Sequence, residues 1–277
     1  PAQRVAEHRS GAKNDRNDAR AILRALRDRS IHPVPIKTPE QLAMQALHRA
    51  RAGWVGRRTA LSNQIRGLLL EHGVAIAKGD AALERALAAA LGTTRMAIPD
   101  RLREIVAWLE AEWRQQGQRI EAVTGELARL AREDPVARLL GMIDGIGPIT
   151  STALACKGID PDRYRNSRLF AASFGVVPEQ FSTAGKTRLG RMSRRGDGYI
   201  RSLLIQGAHA ALRVVRADAR DPYSRRLRRW RERHGSKGAA VRLANHTLRV
   251  VWVLLKRGVR YQRNPTLAQA PATPMEV

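Results

Sequence analysis

Between residues 38 and 132 the apolar positions recur at three- and four-residue intervals, which brings them to one side of an α-helix. From Leu42 to about Glu71 the stripe is Leu47, Trp54, Leu61, Ile65, Leu68 and Leu69. Thr38-Pro39-Glu40-Gln41 opens that helix with a residue able to cap, a proline at the first helical position and a glutamine at capping-box spacing. After breaks at His72-Gly73 and Lys78-Gly79, a second helix is expected over Ala81 to Ala90. A third runs from Pro99 to Arg132, with Ile105, Trp108, Leu109, Ile120, Val123, Leu127 and Leu130 as its stripe. Two long helices of this kind predict an antiparallel hairpin or coiled coil, and self-association through the stripe would make the chain a homo-oligomer.

The pattern changes on either side of this region. Ile22, Leu23 and Leu26 share one face of a helix expected after Asp18, while Pro33 and Pro35 hold the segment Ile31 to Ile36 extended. Beyond Asp134-Pro135 the helices become shorter and are separated by glycine turns. Tyr199 to Ala217 reads as a helix burying Ile200, Leu203, Leu204, Ala208, Ala211 and Leu212. Leu227 and Trp230 point inward from a basic helix, and the apolar run Val250 to Leu255 reads as buried helix. Asn264 to Val277, with three prolines, has the composition of a disordered tail.

Charge sharpens this picture. Lys and Arg total 50 against 25 Asp and Glu, a formal net charge of +25. Such an excess calls for a polyanionic partner, because each phosphate neutralised releases condensed counterions. Most of the cations are arginines, whose planar fork grips phosphate oxygens in pairs. No apolar run approaches the roughly 20 residues that a membrane-spanning helix needs, and no apolar segment of a secretory signal is present. A single cysteine, Cys156, excludes an internal disulfide framework and a cysteine-based zinc site. The seven histidines show no metal-ligand spacing. A cytoplasmic, nucleoid-associated protein is expected. The sequence opens on Pro1 and not on Met, so a preceding segment is expected too.

Three segments could carry chemistry. In Lys13-Asn14-Asp15-Arg16-Asn17-Asp18-Ala19, Asp15 and Asp18 lie three apart at a helix start and project from one face. Two such carboxylates can share a hard divalent cation, or can simply complement the helix dipole. Met142-Ile143-Asp144-Gly145-Ile146-Gly147-Pro148 has the turn of a helix-hairpin-helix module. The backbone amides at Gly145 and Gly147 could hold a DNA phosphate, although the same turn also serves as a plain connection. The third and densest segment, Gly175 to Asp197, is a glycine-punctuated loop. Ser182 and Thr183 are its candidate nucleophiles, and Lys186, Arg188, Arg191, Arg194 and Arg195 could neutralise a reacting phosphodiester. Further on, Arg225, Arg226, Arg228 and Arg229 form a single-signed run suited to a phosphate backbone.

The ordered set of these motifs resembles the IS110 family of transposases, and most closely its IS1111 branch. The resemblance extends through Phe181-Ser182-Thr183-Ala184-Gly185-Lys186-Thr187-Arg188-Leu189-Gly190, Ser193-Arg194-Arg195-Gly196-Asp197 and Arg201-Ser202-Leu203-Leu204-Ile205-Gln206-Gly207-Ala208, and covers nearly the whole chain. It implies a mainly α protein. Residues 1–37 would be the C-terminal remnant of a RuvC-like α/β domain with an acidic tetrad, and 38–134 a helical coiled-coil region. Residues 135–262 would form an all-helical, serine-bearing transposase domain, and 263–277 a disordered tail. Asp15 and Asp18 match the last two acids of the tetrad, which holds Mg²⁺; the first two would lie upstream. The family serine falls at Ser182, with Thr183 the neighbouring alternative. The implied activity is DNA strand exchange through a serine–DNA link, on double-stranded DNA and, in some members, with a structured guide RNA. Two other readings of the same residues remain: a non-catalytic nucleic-acid-binding remnant of a transposase, and a helix-hairpin-helix DNA repair protein.

Overall fold

Two short helices, α1 (Ala2–Glu7) and α2 (Asp15–Arg27), open the computed structural model, which describes residues 2–28, 31, 34–92, 98–183 and 186–263. Asn14 caps α2, its side chain accepting from the Asn17 amide at 2.9 Å. The face carrying Ile22, Leu23 and Leu26 is exposed, and Ala21 and Ala25 are the residues that pack inward.

Three helices form the middle of the chain: α3 (Pro39–Glu71), α4 (Asp80–Gly92) and α5 (Asp100–Glu133). The capping box that starts α3 is closed from both sides. The Gln41 amide donates to Thr38 Oγ1 at 3.2 Å, and the Thr38 amide donates to Gln41 Oε1 at 3.1 Å. α3 and α5 lie antiparallel, as two hydrogen bonds between them show. Arg51 Nε donates to Thr124 Oγ1 at 2.9 Å, and Trp113 Nε1 donates to Ser62 Oγ at 2.8 Å. Leu61, Ile65 and Leu69 of α3 form one cluster with Leu83 and Leu87 of α4 and with Val106 and Trp113 of α5.

Leu109, Val123, Leu127 and Leu130 of the expected α5 stripe pack inward, but its first turns differ. Trp108 and Ile105 are 70% and 41% exposed, whereas Val106 and Trp113 are buried. A shift of one residue turns a helix by about 100°. Here the inward phase is the one that lets the Trp113 indole reach Ser62.

The remainder packs around a second cluster. Its helices are α6 (Pro135–Gly141), α7 (Pro148–Ala155), α8 (Ser167–Ser173), α9 (Gly198–Arg213) and α10 (Pro222–Arg257), with a 3-10 turn at Pro161–Arg163. Leu140, Leu154, Phe170, Leu204, Leu227, Leu243 and Leu248 lie at its centre. α10 is not straight: Gly235 has φ 66 and ψ 173, a left-handed break that only glycine enters cheaply. Met44, Leu127 and Cys156 form a third, smaller cluster that joins the long helices to the C-terminal ones. His48 of α3 reinforces the junction, with Nδ1 3.1 Å from Tyr199 Oη and Nε2 3.1 Å from Thr152 Oγ1.

The C-terminal part is not all helical, contrary to expectation. Two antiparallel strands, β1 (Pro178–Thr183) and β2 (Lys186–Met192), occupy the segment read as a loop. Pairing lets the backbone groups of the two strands satisfy one another, although their side chains show no regular alternation of buried and exposed positions. The expected tail, residues 264–277, lies outside the described residues.

Candidate functional site

The hairpin pairs Gln180 with Leu189, Phe181 with Arg188, Ser182 with Thr187 and Thr183 with Lys186; its tip, residues 184–185, is outside the described residues. Side chains alternate between the two faces of a strand, and cross-strand partners share a face. Ser182 therefore sits on the face of Gln180 and Leu189, while Lys186 and Arg188 fall on the opposite face with Phe181. The Phe181 ring lies across Gly190, where a Cβ would come within 2.8 Å of it. Ser182 is exposed, and Gln180 Nε2 donates to its Oγ at 2.8 Å. That bond orients the hydroxyl and leaves it open to solvent.

The base of the hairpin is rigidly placed. The Ser193 amide donates to Val177 O at 2.9 Å and the Arg194 amide to Gly175 O at 3.3 Å. Arg194 has φ 53, alone among the described non-glycine residues in the left-handed region. The backbones meet closely here, since a Cβ on Gly175 would lie 2.1 Å from Arg195 O and one on Gly196 would lie 2.0 Å from Ser173 O. Arg201 Nη1 donates to the carbonyls of Phe174 and Arg195 at 3.2 and 3.3 Å. Asp197 caps α9 by accepting from the amides of Tyr199 and Ile200, and it pairs with Lys157 at 2.7 Å. Burial alone would raise the Asp197 carboxyl, but Lys157 and those amides outweigh it and hold it below its usual range.

The five cations expected around one hydroxyl are thus dispersed. Lys186 and Arg188 point away from Ser182, Arg191 is exposed on β2, and Arg194 and Arg195 are exposed in the loop below.

The basic run at the start of α10 divides as well. Arg225 and Arg229 are exposed. Arg226 lies over the rings of Tyr223 and Trp230, at 5.7 and 5.6 Å from their centroids. Arg228 holds the carbonyls of Arg216 and Ala217 at 2.9 and 2.7 Å, bracing the turn that precedes its helix.

The two glycines of the turn between α6 and α7 have different surroundings. Gly145 (φ 86) lies against Gly207 of α9, so that a Cβ on it would be 2.8 Å from Gly207 O. Gly147 is exposed with open space beside it, at the N-cap of α7.

Asp15 is exposed, and Asp18 is half-buried and accepts from Arg9 at 3.3 Å. Among the described residues no three His, Cys, Asp or Glu side chains gather where they could hold a metal. A hard cation such as Mg²⁺ takes about six oxygen ligands, and two carboxylates, one of them engaged by an arginine, do not fit it alone.

Sequence reasoning missed Gln180 as the residue orienting Ser182. It also missed an open groove of about 840 Å³ between the hairpin and α10, lined in part by Arg168, Trp230, Arg242 and Arg249. Arg242 and Arg249 stand seven apart on one face of α10, a spacing legible in the sequence, but Arg168 joins them only through the packing of α8.

A mainly helical body with a formal net charge of +25 is electrostatically suited to a polyanionic partner. Its sequence places it more narrowly. The model of the "Transposase IS116/IS110/IS902 family" matches residues 137–224, and a transposase model of the DEDD IS110 type matches residues 1–73. A "Probable family 20 transposase" of Pseudomonas aeruginosa is 39% identical over 94% of this chain and 77% of its own length. The "Transposase for insertion sequence element IS1328" of Yersinia enterocolitica is 36% identical over 91% of this chain and 74% of its own. That for IS1111A of Coxiella burnetii is 35% identical over 94% and 71%. The chain belongs to the IS116/IS110/IS902 family of insertion-sequence transposases. No described helix is long and apolar enough to cross a membrane.

Proposed function

We propose that this protein breaks and rejoins DNA strands at the ends of an insertion sequence, with the Ser182 hydroxyl as nucleophile. The observation that carries the reading is the placement of Ser182: exposed on a hairpin strand, its Oγ oriented by Gln180, and outside every buried cluster. In the first step Oγ attacks the scissile phosphorus and loses its proton to solvent. A serine–phosphate ester forms, the bond to one deoxyribose oxygen breaks, and that oxygen takes up a proton. In the second step a deoxyribose hydroxyl of the new partner strand attacks the same phosphorus and displaces Ser182. The number of phosphodiester bonds is conserved, so no external energy source is needed. Gln180 donates to Oγ and so cannot take its proton; its part is to aim the oxygen. Arg191, Arg194 and Arg195 supply positive charge at the hairpin and its base, where phosphate oxygens would gather. Asp15 and Asp18 would contribute two carboxylates to a divalent-metal site, and the described residues offer no third.

The test is to trap the covalent intermediate on DNA carrying the element's ends. A protein–DNA adduct that survives denaturation should form with the unaltered chain and disappear with Ser182→Ala. If the alanine variant still forms the adduct while Thr183→Val does not, the nucleophile is the neighbouring residue.

A further inference from the structure

The groove between the hairpin and α10 has a chemical character that the reading above leaves unused. One wall is the α10 face bearing His234, Gly238, Val241, Arg242, Asn245, His246 and Arg249, with Trp230 above it. The other wall is apolar, formed by Val176, Val177, Pro178, Leu189 and Met192, and Arg168 of α8 stands at one end. Every charged side chain lining the groove is cationic, and among the described residues none of Arg168, Arg242 and Arg249 is in an ion pair. Arg249 keeps its Nε buried with no hydrogen-bond partner. His246 is neutral at physiological pH, because burial and the neighbouring Arg226 and Arg249 push it down to about 4. Three arginines without carboxylates leave a large uncompensated charge beside an apolar wall and an indole. A nucleotide meets both demands, its phosphate answering the guanidinium groups and its base the indole and the thioether of Met192.

The groove also leads to the hydroxyl. Leu189 lines it and is the cross-strand partner of Gln180, the residue that orients Ser182. Ser182, Gln180 and Leu189 share one hairpin face, so Leu189 links the groove to the strand face that carries the hydroxyl, which does not itself line it. From Pro178 at its rim to Ser182 is four residues of strand, on the order of 13 Å.

We propose that this groove seats an unstacked nucleotide of single-stranded DNA next to the phosphate presented to Ser182. The base packs against Trp230 and Met192, and Arg168, Arg242 and Arg249 hold the backbone. The apolar wall that would face the sugar, formed by Val176, Val177, Pro178, Leu189 and Met192, offers a 2′-hydroxyl no hydrogen-bonding side-chain oxygen or nitrogen, which favours deoxyribose there. The inference deepens the strand-exchange reading by adding a separate binding site to it.

Fluorescence anisotropy with the whole chain tests it, using labelled oligothymidylate, the same oligomer made abasic, and oligouridylate, all at one salt concentration. Intact oligothymidylate should bind roughly tenfold more tightly than the abasic strand, as one stacked base implies. Trp230→Ala should remove that difference, and Trp230→Phe should keep most of it. Arg242→Glu, at an exposed position, should weaken intact and abasic strands alike. Should Trp230→Ala fail to fold, the intact-to-abasic ratio of the unaltered chain and the Arg242→Glu loss decide the matter. Equal binding of intact and abasic strands by the unaltered chain overturns the proposal, as does tighter binding of oligouridylate. Ser182→Ala should bind like the unaltered chain. A missing covalent adduct alongside a retained base preference removes the serine chemistry and keeps the groove; the reverse result keeps the serine and removes the groove.

Discussion

Gly145 and Gly207 meet backbone to backbone: a Cβ on Gly207 would lie 1.9 Å from Gly145 O, and one on Gly145 would lie 2.8 Å from Gly207 O. The turn between α6 and α7 is thereby locked onto the middle of α9, and neither residue has room for a methyl group. Gly207→Ala should cost about 2–4 kcal/mol of stability, since backbone on both sides must move. Gly147→Ala, with open space beside it, should cost less than about 1 kcal/mol. Urea unfolding of the two variants, compared directly, checks the contrast.

The His48 bridge predicts a pH dependence. Burial, with a smaller contribution from Arg51, lowers the His48 pKa from 6.5 to about 4. The folded protein therefore keeps the ring neutral where the unfolded chain would protonate it. The contribution is fully present above about pH 6.5 and is lost progressively as the pH falls towards 4. Thermal melts across that range should show Tm falling with acidity. His48→Gln, which keeps hydrogen-bonding groups without the titration, should flatten the slope.

Arg194 holds a backbone conformation that costs a non-glycine residue about 1 kcal/mol or more. Arg194→Gly should leave stability unchanged or raise it slightly, while weakening DNA binding and reducing the salt slope by about one. A fall in both stability and affinity would mean that the arginine side chain braces the loop.

The arginines at the start of α10 should separate into two kinds. Arg228→Ala removes donors from two carbonyls and should lower stability by about 1 kcal/mol. Arg225→Ala and Arg229→Ala, both at exposed positions, should leave melting unchanged and lower DNA affinity in a salt-dependent way. Denaturation and binding measured on the same three variants distinguish them.

How much of this was legible in the sequence depended on the range of the interactions involved. The cap at Thr38 and Gln41 and the extents of the three middle helices follow from neighbours in the chain, and they stand as expected. The inward face of α5 was misread at Ile105 and Trp108, because a 34-residue helix with apolar side chains on several faces offers more than one stripe. Packing against α3 and α4 selects among them. The hairpin was missed for a different reason. Phe181 and Leu189 lie on opposite faces and are both exposed, so the strands lack the buried-and-exposed alternation that reveals a strand in sequence. At the site, Ser182 was visible as a residue type in a suggestive segment. Its alignment with Gln180 needed the strand register, and the arginines of the groove needed the packing of α8 against α10.

None of the described hairpin residues between Pro178 and Met192 belongs to any of the three buried clusters. The arm is held at its base by backbone contacts and adds no side chain to the cores of the body that carries it. With Ser182 as the proposed nucleophile, substitutions along the arm should alter DNA handling more than folding, so selection on a mobile element, or an engineer, would have freest rein there.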